Sequence, residues 1–188
     1  MTQSPSFPHP DLNRILFSAD QIQTRIHELA DTIARDFGQE EFLCVSIMKG
    51  SFIFAADLLR SLSARNAQPV LDFITLSSYG GETSSRGSVS LLKGLTLPVA
   101  GSQVLIIDDI LDTGRTLQTA SHLLYEQGAT QVRTCVLLDK PARRSVSFEA
   151  DYCGFKIDDV FIIGYGLDFN NRFRHLPYLT TLTPPPIP

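Results

Sequence analysis

The sequence predicts an α/β fold in which helices flank a mostly parallel central sheet. Short apolar runs rich in valine, isoleucine and leucine recur along the 188-residue chain, and segments with helical spacing of apolar residues lie between them. Strands that are apolar on both faces are typical of parallel sheets covered by helices. The chain contains no internal repeat and no low-complexity linker, so we expect one domain over 1–188. Its proline-rich ends, about 1–10 and 183–188, are predicted to be disordered.

The first predicted element is a helix from about Ala19 to Phe37. Ser18 and Gln21 form a capping box at its start, and apolar residues recur with helical spacing along one face. Gly38 follows directly, and glycine commonly ends a helix.

The middle of the chain alternates predicted strands and helices. Phe42–Met48 is a continuous apolar run typical of a buried strand, Lys49-Gly50 interrupts it, and the following SFIFAADLLRSL predicts a helix. A further helix is predicted from Thr116 to Gln127, before Gly128. The other predicted strands, rich in β-branched and aromatic residues, are Val70–Ser77, Ser88–Leu92, Gln103–Asp108, Gln131–Leu138 and Val160–Gly164. Ligands of such sheets bind at the carboxyl ends of the strands, so the loops that follow these strands are where we expect chemistry.

Composition argues against several classes of protein. The formal net charge is −4 and the pI is near 5.5, which disfavours a general nucleic-acid-binding surface. No apolar run reaches the roughly 18 residues of a membrane-spanning helix, and the N-terminus lacks a signal-peptide pattern. The three cysteines and four histidines show no disulfide framework and no metal-site spacing. We therefore expect a cytoplasmic protein without a nucleic-acid or membrane partner.

The strongest chemical signal is the string VLIIDDILDTGRT, from Val104 to Thr116. In it a buried strand leads into acidic residues and then into a small, hydroxyl-bearing turn that opens a helix. Backbone N–H groups at such a helix N-terminus, with the Thr113 and Thr116 hydroxyls, are suited to bind a phosphate. Asp108 and Asp109 are suited to accept hydrogen bonds from ribose hydroxyls or to bind a hard cation such as Mg²⁺.

Two common nucleotide motifs are missing, and a simpler interpretation of the string stays open. Neither GxxxxGK[ST] nor GxGxxG occurs in the chain, so an ordinary P-loop ATPase or dinucleotide-binding dehydrogenase loses its main support. The simpler interpretation is a surface Asp-Gly turn in which Asp112 only caps the following helix.

The full string resembles the phosphoribosyl pyrophosphate (PRPP) signature of type I phosphoribosyltransferases. Four further segments resemble those of the hypoxanthine-guanine phosphoribosyltransferases: SIMKGSFIFAADLLR, LSSYGG, LLDKPARRS and DVFIIGYGLDFNNRFRHLPY. The resemblance implies the type I fold with a small base-binding hood. It also implies purine salvage with Mg²⁺ as cofactor, in which the 5-phosphoribosyl group of PRPP passes to hypoxanthine or guanine, giving IMP or GMP and pyrophosphate.

The resemblance also assigns the PRPP-binding residues. Those for the ribose and the 5′-phosphate are Asp108, Asp109, Asp112, Thr113, Gly114, Arg115 and Thr116. Lys49, Gly50 and Arg174 would contact pyrophosphate, with a cis peptide bond between Met48 and Lys49. Asp108, Asp109 and Asp168 would bind Mg²⁺. Asp112 is the candidate catalytic residue, a general base near purine N7.

The purine site is assigned in the same way. Lys140 would donate to the 6-oxo group, Phe161 would stack on the ring, and backbone groups of Ile162 together with Asp168 would complete the site. Adenine carries an amino group where Lys140 needs an acceptor, so we expect selection for 6-oxopurines. The polar segment with Ser78-Tyr79 would form a lid over the reacting centre.

Two departures and two alternatives accompany this assignment. The family often has Glu-Asp where this chain has Asp108-Asp109, and Asp139 places a further carboxylate beside the predicted purine site. The sequence does not show which of hypoxanthine, guanine and xanthine is the preferred base. The resemblance to the family also implies a homo-oligomer, a dimer or tetramer. The alternatives are a PRPP-binding regulator without chemistry and a uracil phosphoribosyltransferase that doubles as an RNA attenuator, although Asp112 and the purine segments argue against the latter.

Overall fold

The computed structural model describes residues 12–77 and 90–182. The predicted tails, about 1–10 and 183–188, and the predicted lid pair Ser78-Tyr79 lie outside these residues. The helices are α1 (Ala19–Phe37), α2 (Phe52–Ser63) and α3 (Arg115–Glu126), with a short 3₁₀ turn at Pro141–Arg143. The strands are β1 (Leu12–Phe17), β2 (Glu41–Met48), β3 (Gln68–Ser77), β4 (Ser90–Lys93), β5 (Gln103–Leu111), β6 (Gln131–Asp139), β7 (Tyr152–Lys156), β8 (Ile162–Ile163) and β9 (Leu179–Leu182).

A six-stranded sheet in the order β4-β3-β2-β5-β6-β7 forms the centre of the fold. All its neighbouring pairs are parallel except β3 with β4. Alternate residues of β5 face opposite sides, because side chains alternate along a strand. Leu105 lies in the apolar cluster formed with α1 and α2, whereas Ile106 lies in the cluster formed with α3. The prediction of a mostly parallel sheet flanked by helices is confirmed.

The predicted capping box fixes the start of α1. The Gln21 backbone N–H donates to Ser18 Oγ at 3.3 Å, and the Ser18 N–H donates to Gln21 Oε1 at 2.9 Å. Gly38 adopts a φ of 70° at the other end. The predicted bounds of this helix are confirmed, and α1 buries its apolar face against the sheet. Among the described residues, no helix is long and apolar enough to cross a membrane.

A second, three-stranded antiparallel sheet in the order β1-β9-β8 corrects part of the strand prediction. The predicted strand Val160–Gly164 is reduced to β8 and belongs to this sheet instead of the central one. The sequence patterns did not predict β1, β7 or β9. We call the small sheet and the segment 164–178 the hood.

The hood lies over the carboxyl ends of the central strands. Lys140, just after β6, donates from Nζ to the Val160 carbonyl at 2.8 Å. Gly166 of the hood approaches Gly50, just after β2, so closely that a Cβ at Gly166 would lie 2.0 Å from the Gly50 carbonyl oxygen. The hood therefore closes the edge of the sheet where ligands of such folds bind.

Candidate active site

A cavity of about 300 Å³ opens at the carboxyl ends of β2 and β5. Two of the loops singled out from the sequence meet there. Its lining residues are Ile47, Met48, Lys49, Gly50, Asp108, Asp109, Ile110, Leu111, Asp112, Thr113, Gly114, Thr116 and Leu117. The parallel register of β2 beside β5, with Ser46 opposite Ile107, brings these loops together.

The N-terminus of α3 borders this cavity. Gly114 is the N-cap of α3 with a φ of 86°, a left-handed conformation that favours glycine. A Cβ there would also lie 2.9 Å from Val146 Cγ2. Arg115 N–H donates to Thr113 Oγ1 at 3.4 Å. A helix N-terminus with hydroxyls beside it is suited to bind an anion such as a phosphate.

Asp108 and Asp109 form an adjacent acidic pair in the same cavity. The sequence predicted a strand that ends at Asp108, whereas β5 continues to Leu111, so both residues lie within it. Burial raises the pKa of Asp108 well above its ordinary value, and the neighbouring Asp109 charge adds to the effect. Burial also raises the pKa of Asp109, while the Arg174 guanidinium acts in the opposite direction. Such a pair favours a bound cation or hydroxyl donors, because either would offset the cost of its buried charge.

The Met48–Lys49 peptide bond is cis, as the resemblance implies. The next residue, Gly50, lies against the carboxylate of Asp109. A Cβ on Gly50 would lie 1.7 Å from Asp109 Oδ2, far inside van der Waals contact. Lys49 is exposed beside this contact. At Gly50 the loop therefore has no room for a side chain.

The side chain of Arg174, which belongs to the hood, lies near the loop that contains Lys49 and Gly50. Its guanidinium forms an ion pair with Asp168 at 2.6 Å and donates from Nη1 to the Gly166 carbonyl at 2.6 Å. Because Gly166 lies against Gly50, this arrangement brings together the residues predicted for pyrophosphate, Lys49, Gly50 and Arg174. The same ion pair occupies Asp168, one of the predicted Mg²⁺ ligands.

A second cavity, of about 350 Å³, adjoins the first through Asp109, Ile110 and Asp112. It lies between the end of β6 and the hood. Its other lining residues are Lys140, Arg143, Phe161, Ile162, Leu167 and Asp168. All four residues predicted for the purine site therefore line this second cavity.

Lys140 and Phe161 supply the chemistry of this second cavity. Lys140 is only 7% exposed, and its ammonium lies 3.6 Å from Asp159 Oδ1. Phe161 is 41% exposed, unlike a core residue, and meets Phe169 edge to face with 5.7 Å between ring centroids. A buried cation near one exposed aromatic face suits a flat base that carries a hydrogen-bond acceptor.

Backbone groups of Ile162 are also available on this side. β8 is an edge strand, and the Leu182 N–H donates to the Phe161 carbonyl. Because hydrogen-bonded and non-bonded positions alternate in antiparallel pairs, the N–H and C=O of Ile162 point away from β9. They therefore face the unpaired edge of the hood, where Ile162 lines the cavity.

Asp112 lies where the two cavities meet. Its Oδ1 is a buried oxygen that has no hydrogen-bond partner within residues 12–77 and 90–182, although Arg143 Nε lies 3.2 Å away as an ion pair. The interpretation that Asp112 caps α3 is wrong, since the N-cap is Gly114. A carboxylate at this junction can accept a proton from a base in the second cavity while the base faces a sugar in the first.

Sequence reasoning missed two arginines that shape this junction. Arg144 donates from Nη1 to the carbonyls of Leu111, at 3.1 Å, and of Asp112, and it pairs through Nη2 with Asp139. The carboxylate of Asp139, expected beside the purine site, is bound to Arg144 and is not among the residues that line the second cavity. Arg143 pairs with Asp112 instead. The only sequence signal for both was the Arg-Arg pair in the PARRS segment.

Comparison with known proteins agrees with this geometry. Residues 18–170 match the phosphoribosyl transferase domain family. The chain is 41% identical over 174 residues to a hypoxanthine-guanine phosphoribosyltransferase from Staphylococcus epidermidis, covering 93% of this chain and 96% of the relative. It superposes on a crystal structure of a hypoxanthine phosphoribosyltransferase from Staphylococcus aureus with a TM-score of 0.88, 39% identity and 97% coverage of each chain. A Trypanosoma cruzi hypoxanthine phosphoribosyltransferase gives a TM-score of 0.88 at 37% identity, with 95% of each chain covered. The chain therefore belongs to the phosphoribosyl transferase domain family and, within it, to the hypoxanthine-guanine phosphoribosyltransferases.

Proposed function

We propose that this protein transfers the 5-phosphoribosyl group of PRPP to hypoxanthine or guanine, giving IMP or GMP and pyrophosphate. One observation carries the proposal: a cavity suited to a sugar phosphate adjoins a cavity suited to a 6-oxopurine, and Asp112 lines both. The two substrates must react where the cavities meet. The family to which the chain belongs supports the same reaction.

The first cavity would hold PRPP at three points. The 5′-phosphate would bind at the N-terminus of α3, over the segment 113–116, where backbone N–H groups and the helix dipole favour an anion. The ribose hydroxyls would donate to Asp108 and Asp109. Pyrophosphate would bind near Lys49, Gly50 and Arg174, where the two cations Lys49 and Arg174 lie beside the backbone of Gly50.

In the reaction, a purine ring nitrogen attacks C1 of the ribose while the bond from C1 to pyrophosphate breaks. The attacking base becomes more acidic, and the proton on N7 passes to the Asp112 carboxylate. Lys140 donates to the 6-oxo group, and Phe161 stacks on the ring. The base is thus held beside C1 in one orientation, which lowers the entropic cost of reaching the transition state.

Mg²⁺ fits the first cavity, because its acidic pair has raised pKa values that a divalent cation would lower. Asp108 and Asp109 would contribute oxygen ligands in this cavity, and Asp168, which lines the adjoining cavity, would contribute one from the hood. Among the described residues no group of three or more acidic, histidine or cysteine side chains surrounds a single metal position. Mg²⁺ would then take part of its coordination from substrate oxygens, and it would neutralise charge on the pyrophosphate.

We expect EDTA to lower the transfer rate by at least about 10²-fold, since a metal ion contributes several kcal/mol of charge stabilisation in such reactions. The measurement is the rate of pyrophosphate release from PRPP and hypoxanthine. EDTA saturated with Mg²⁺ beforehand is the control and should leave the rate unchanged. Full activity in metal-free EDTA would contradict the assignment of Asp108, Asp109 and Asp168.

A panel of bases tests the function itself. The purified protein is mixed with PRPP and Mg²⁺, and hypoxanthine, guanine, xanthine, adenine and uracil are offered separately while nucleotide and pyrophosphate are quantified. We expect fast product from 6-oxopurines and at least about 10²-fold slower product from adenine, because adenine would leave buried Lys140 facing a donor. Binding of PRPP without reaction of any base would instead indicate a regulator, and product from uracil alone would indicate the pyrimidine enzyme.

Lys140→Met separates the role of the ammonium from the shape of the pocket. Methionine keeps most of the length of the side chain but donates no hydrogen bond. The preference for hypoxanthine over adenine should shrink in this variant, and Lys156→Met, which changes an exposed lysine of β7, should keep the wild-type ratio. An unchanged ratio in Lys140→Met would assign the selection of oxopurines to other groups.

We further propose that the chain acts in the cytoplasm as a homo-oligomer, a dimer or tetramer, with no nucleic-acid or membrane partner. Leu91 and Leu92 of β4 are 45% and 66% exposed, and such neighbouring apolar side chains are suited to burial by a second copy.

A further inference from the structure

Tyr165 of the hood adopts a conformation that is unusual for its residue type. Its φ is 47°, in the left-handed region that few residues other than glycine adopt. The side chain is only 4% exposed. Its hydroxyl donates to Asp57 Oδ2 at 2.5 Å, across 108 positions of sequence. Burial raises the pKa of the Tyr165 phenol, so the hydroxyl stays protonated and remains a donor.

Asp57 connects this tyrosine to the helix that begins after the pyrophosphate loop. It lies on α2, which starts at Phe52, two residues after Gly50. Its carboxylate also accepts from Gln23 Nε2 at 3.1 Å and from Arg60 Nη1 at 2.7 Å. The Tyr165 hydroxyl is thus bound to a charged acceptor that other side chains hold in place.

The backbone beside Tyr165 continues to the proposed pyrophosphate site. Tyr165 N–H donates to the Leu176 carbonyl and Gly166 N–H to the Arg174 carbonyl, each at 2.9 Å. The Gly166 carbonyl accepts from Arg174 Nη1, and the Gly166 Cα lies against Gly50. A shift of Tyr165 would therefore move Gly166. Gly166 would in turn move the Arg174 guanidinium that it binds and the Gly50 carbonyl that it contacts.

We infer that Tyr165, through Asp57, is a positioning residue for the pyrophosphate-binding loop. The hydrogen bond fixes the hood on α2, and Gly166 then holds Gly50 and Arg174 at the distance that pyrophosphate requires. Neither Tyr165 nor Asp57 lines either cavity, so both act without touching a substrate. The inference rests on the proposed pyrophosphate site.

Tyr165→Phe removes the hydroxyl and keeps the ring. We expect the KM for PRPP to rise about tenfold, the effect of losing one hydrogen bond to a charged group. The KM for hypoxanthine should stay within about twofold, because neither Tyr165 nor Asp57 is among the residues that line the purine cavity. A purely structural role would lower the Tm and leave the KM for PRPP unchanged, and that result would overturn the inference.

Variants of Asp57 give an independent measurement. Asp57→Ala should raise the KM for PRPP as Tyr165→Phe does, and the double variant should add little to either, since both remove the same contact. Asp57→Asn keeps an oxygen acceptor and should recover part of the effect. Arg35→Ala changes an exposed arginine of α1 and is the control, with wild-type constants expected.

Additive effects in the double variant would also contradict the inference. The proposed function is tested separately by the wild-type protein. If the wild type transfers no phosphoribosyl group, the function fails; if it is active and Tyr165→Phe matches it in every constant, only the positioning role fails.

Discussion

Replacing Asp112 with asparagine is expected to lower kcat about 10²- to 10⁴-fold, the range that general base catalysis contributes. Asparagine has nearly the same shape as aspartate but does not accept a proton at neutral pH. PRPP binding should change little, because asparagine keeps the size of the Asp112 side chain and the other residues assigned to phosphate, ribose and pyrophosphate are unchanged. The effect should therefore appear in kcat and not in the KM for PRPP.

Single-turnover kinetics with hypoxanthine measure this loss directly, since they separate the chemical step from product release. Asp158→Asn is the matched control, because the same chemical change falls on an exposed residue near the purine cavity. Its rates should equal those of the wild type. A kcat in Asp112→Asn close to that of the wild type would mean that the N7 proton leaves by another route, through water or another side chain.

Elements whose signals are local could be predicted from the sequence. The capping box of Ser18 and Gln21, the apolar face and Gly38 together specify α1, and all of them lie within one segment. The acidic pair of β5 and the start of α3 could also be predicted, because one continuous string carries both. That this string binds a sugar phosphate stays a prediction.

Features that depend on distant pairing were missed. β1 and β9 are short, carry polar residues, and form only because Leu12 pairs with Leu182 at opposite ends of the described chain. The roles of Arg143 and Arg144 depend on the register of β6 beside β5, which sets Asp139 opposite Leu111. No local pattern reveals that register, so the partners of Asp112 and Asp139 required the structure.

Gly50→Ala is expected to lower kcat/KM for PRPP at least about 10²-fold, because small misplacements in a preorganised site have effects of this size. The backbone itself would accept alanine, since φ at Gly50 is not in the left-handed region. The added methyl group, however, would lie 1.7 Å from Asp109 Oδ2 and 2.4 Å from Asp109 Cγ. Either the loop or the carboxylate must move, and each is assigned to PRPP.

Asp109 has little freedom to give way. Its Oδ1 accepts from the Ile110 N–H at 3.0 Å, and the buried side chain of Asp108 lies next to it. Rotation of the carboxylate would break that bond and remove an oxygen from the ribose or metal position. Gly94→Ala is the matched control, because its Cβ would lie at an ordinary 3.7 Å from Leu91 Cδ2. Wild-type kinetics in Gly50→Ala would show that the loop does not bind pyrophosphate in the proposed way.

A double-variant cycle distinguishes the clash from a general loss of loop flexibility. Asp109→Ala removes the carboxyl atoms that the new methyl group would strike, although it also weakens the site itself. If the clash explains the defect, adding Gly50→Ala to Asp109→Ala should cost much less than adding it to the wild type, and the coupling should be large. If Gly50 matters only for its conformational freedom, the two losses should add, since the flexibility of the loop does not depend on the Asp109 carboxylate.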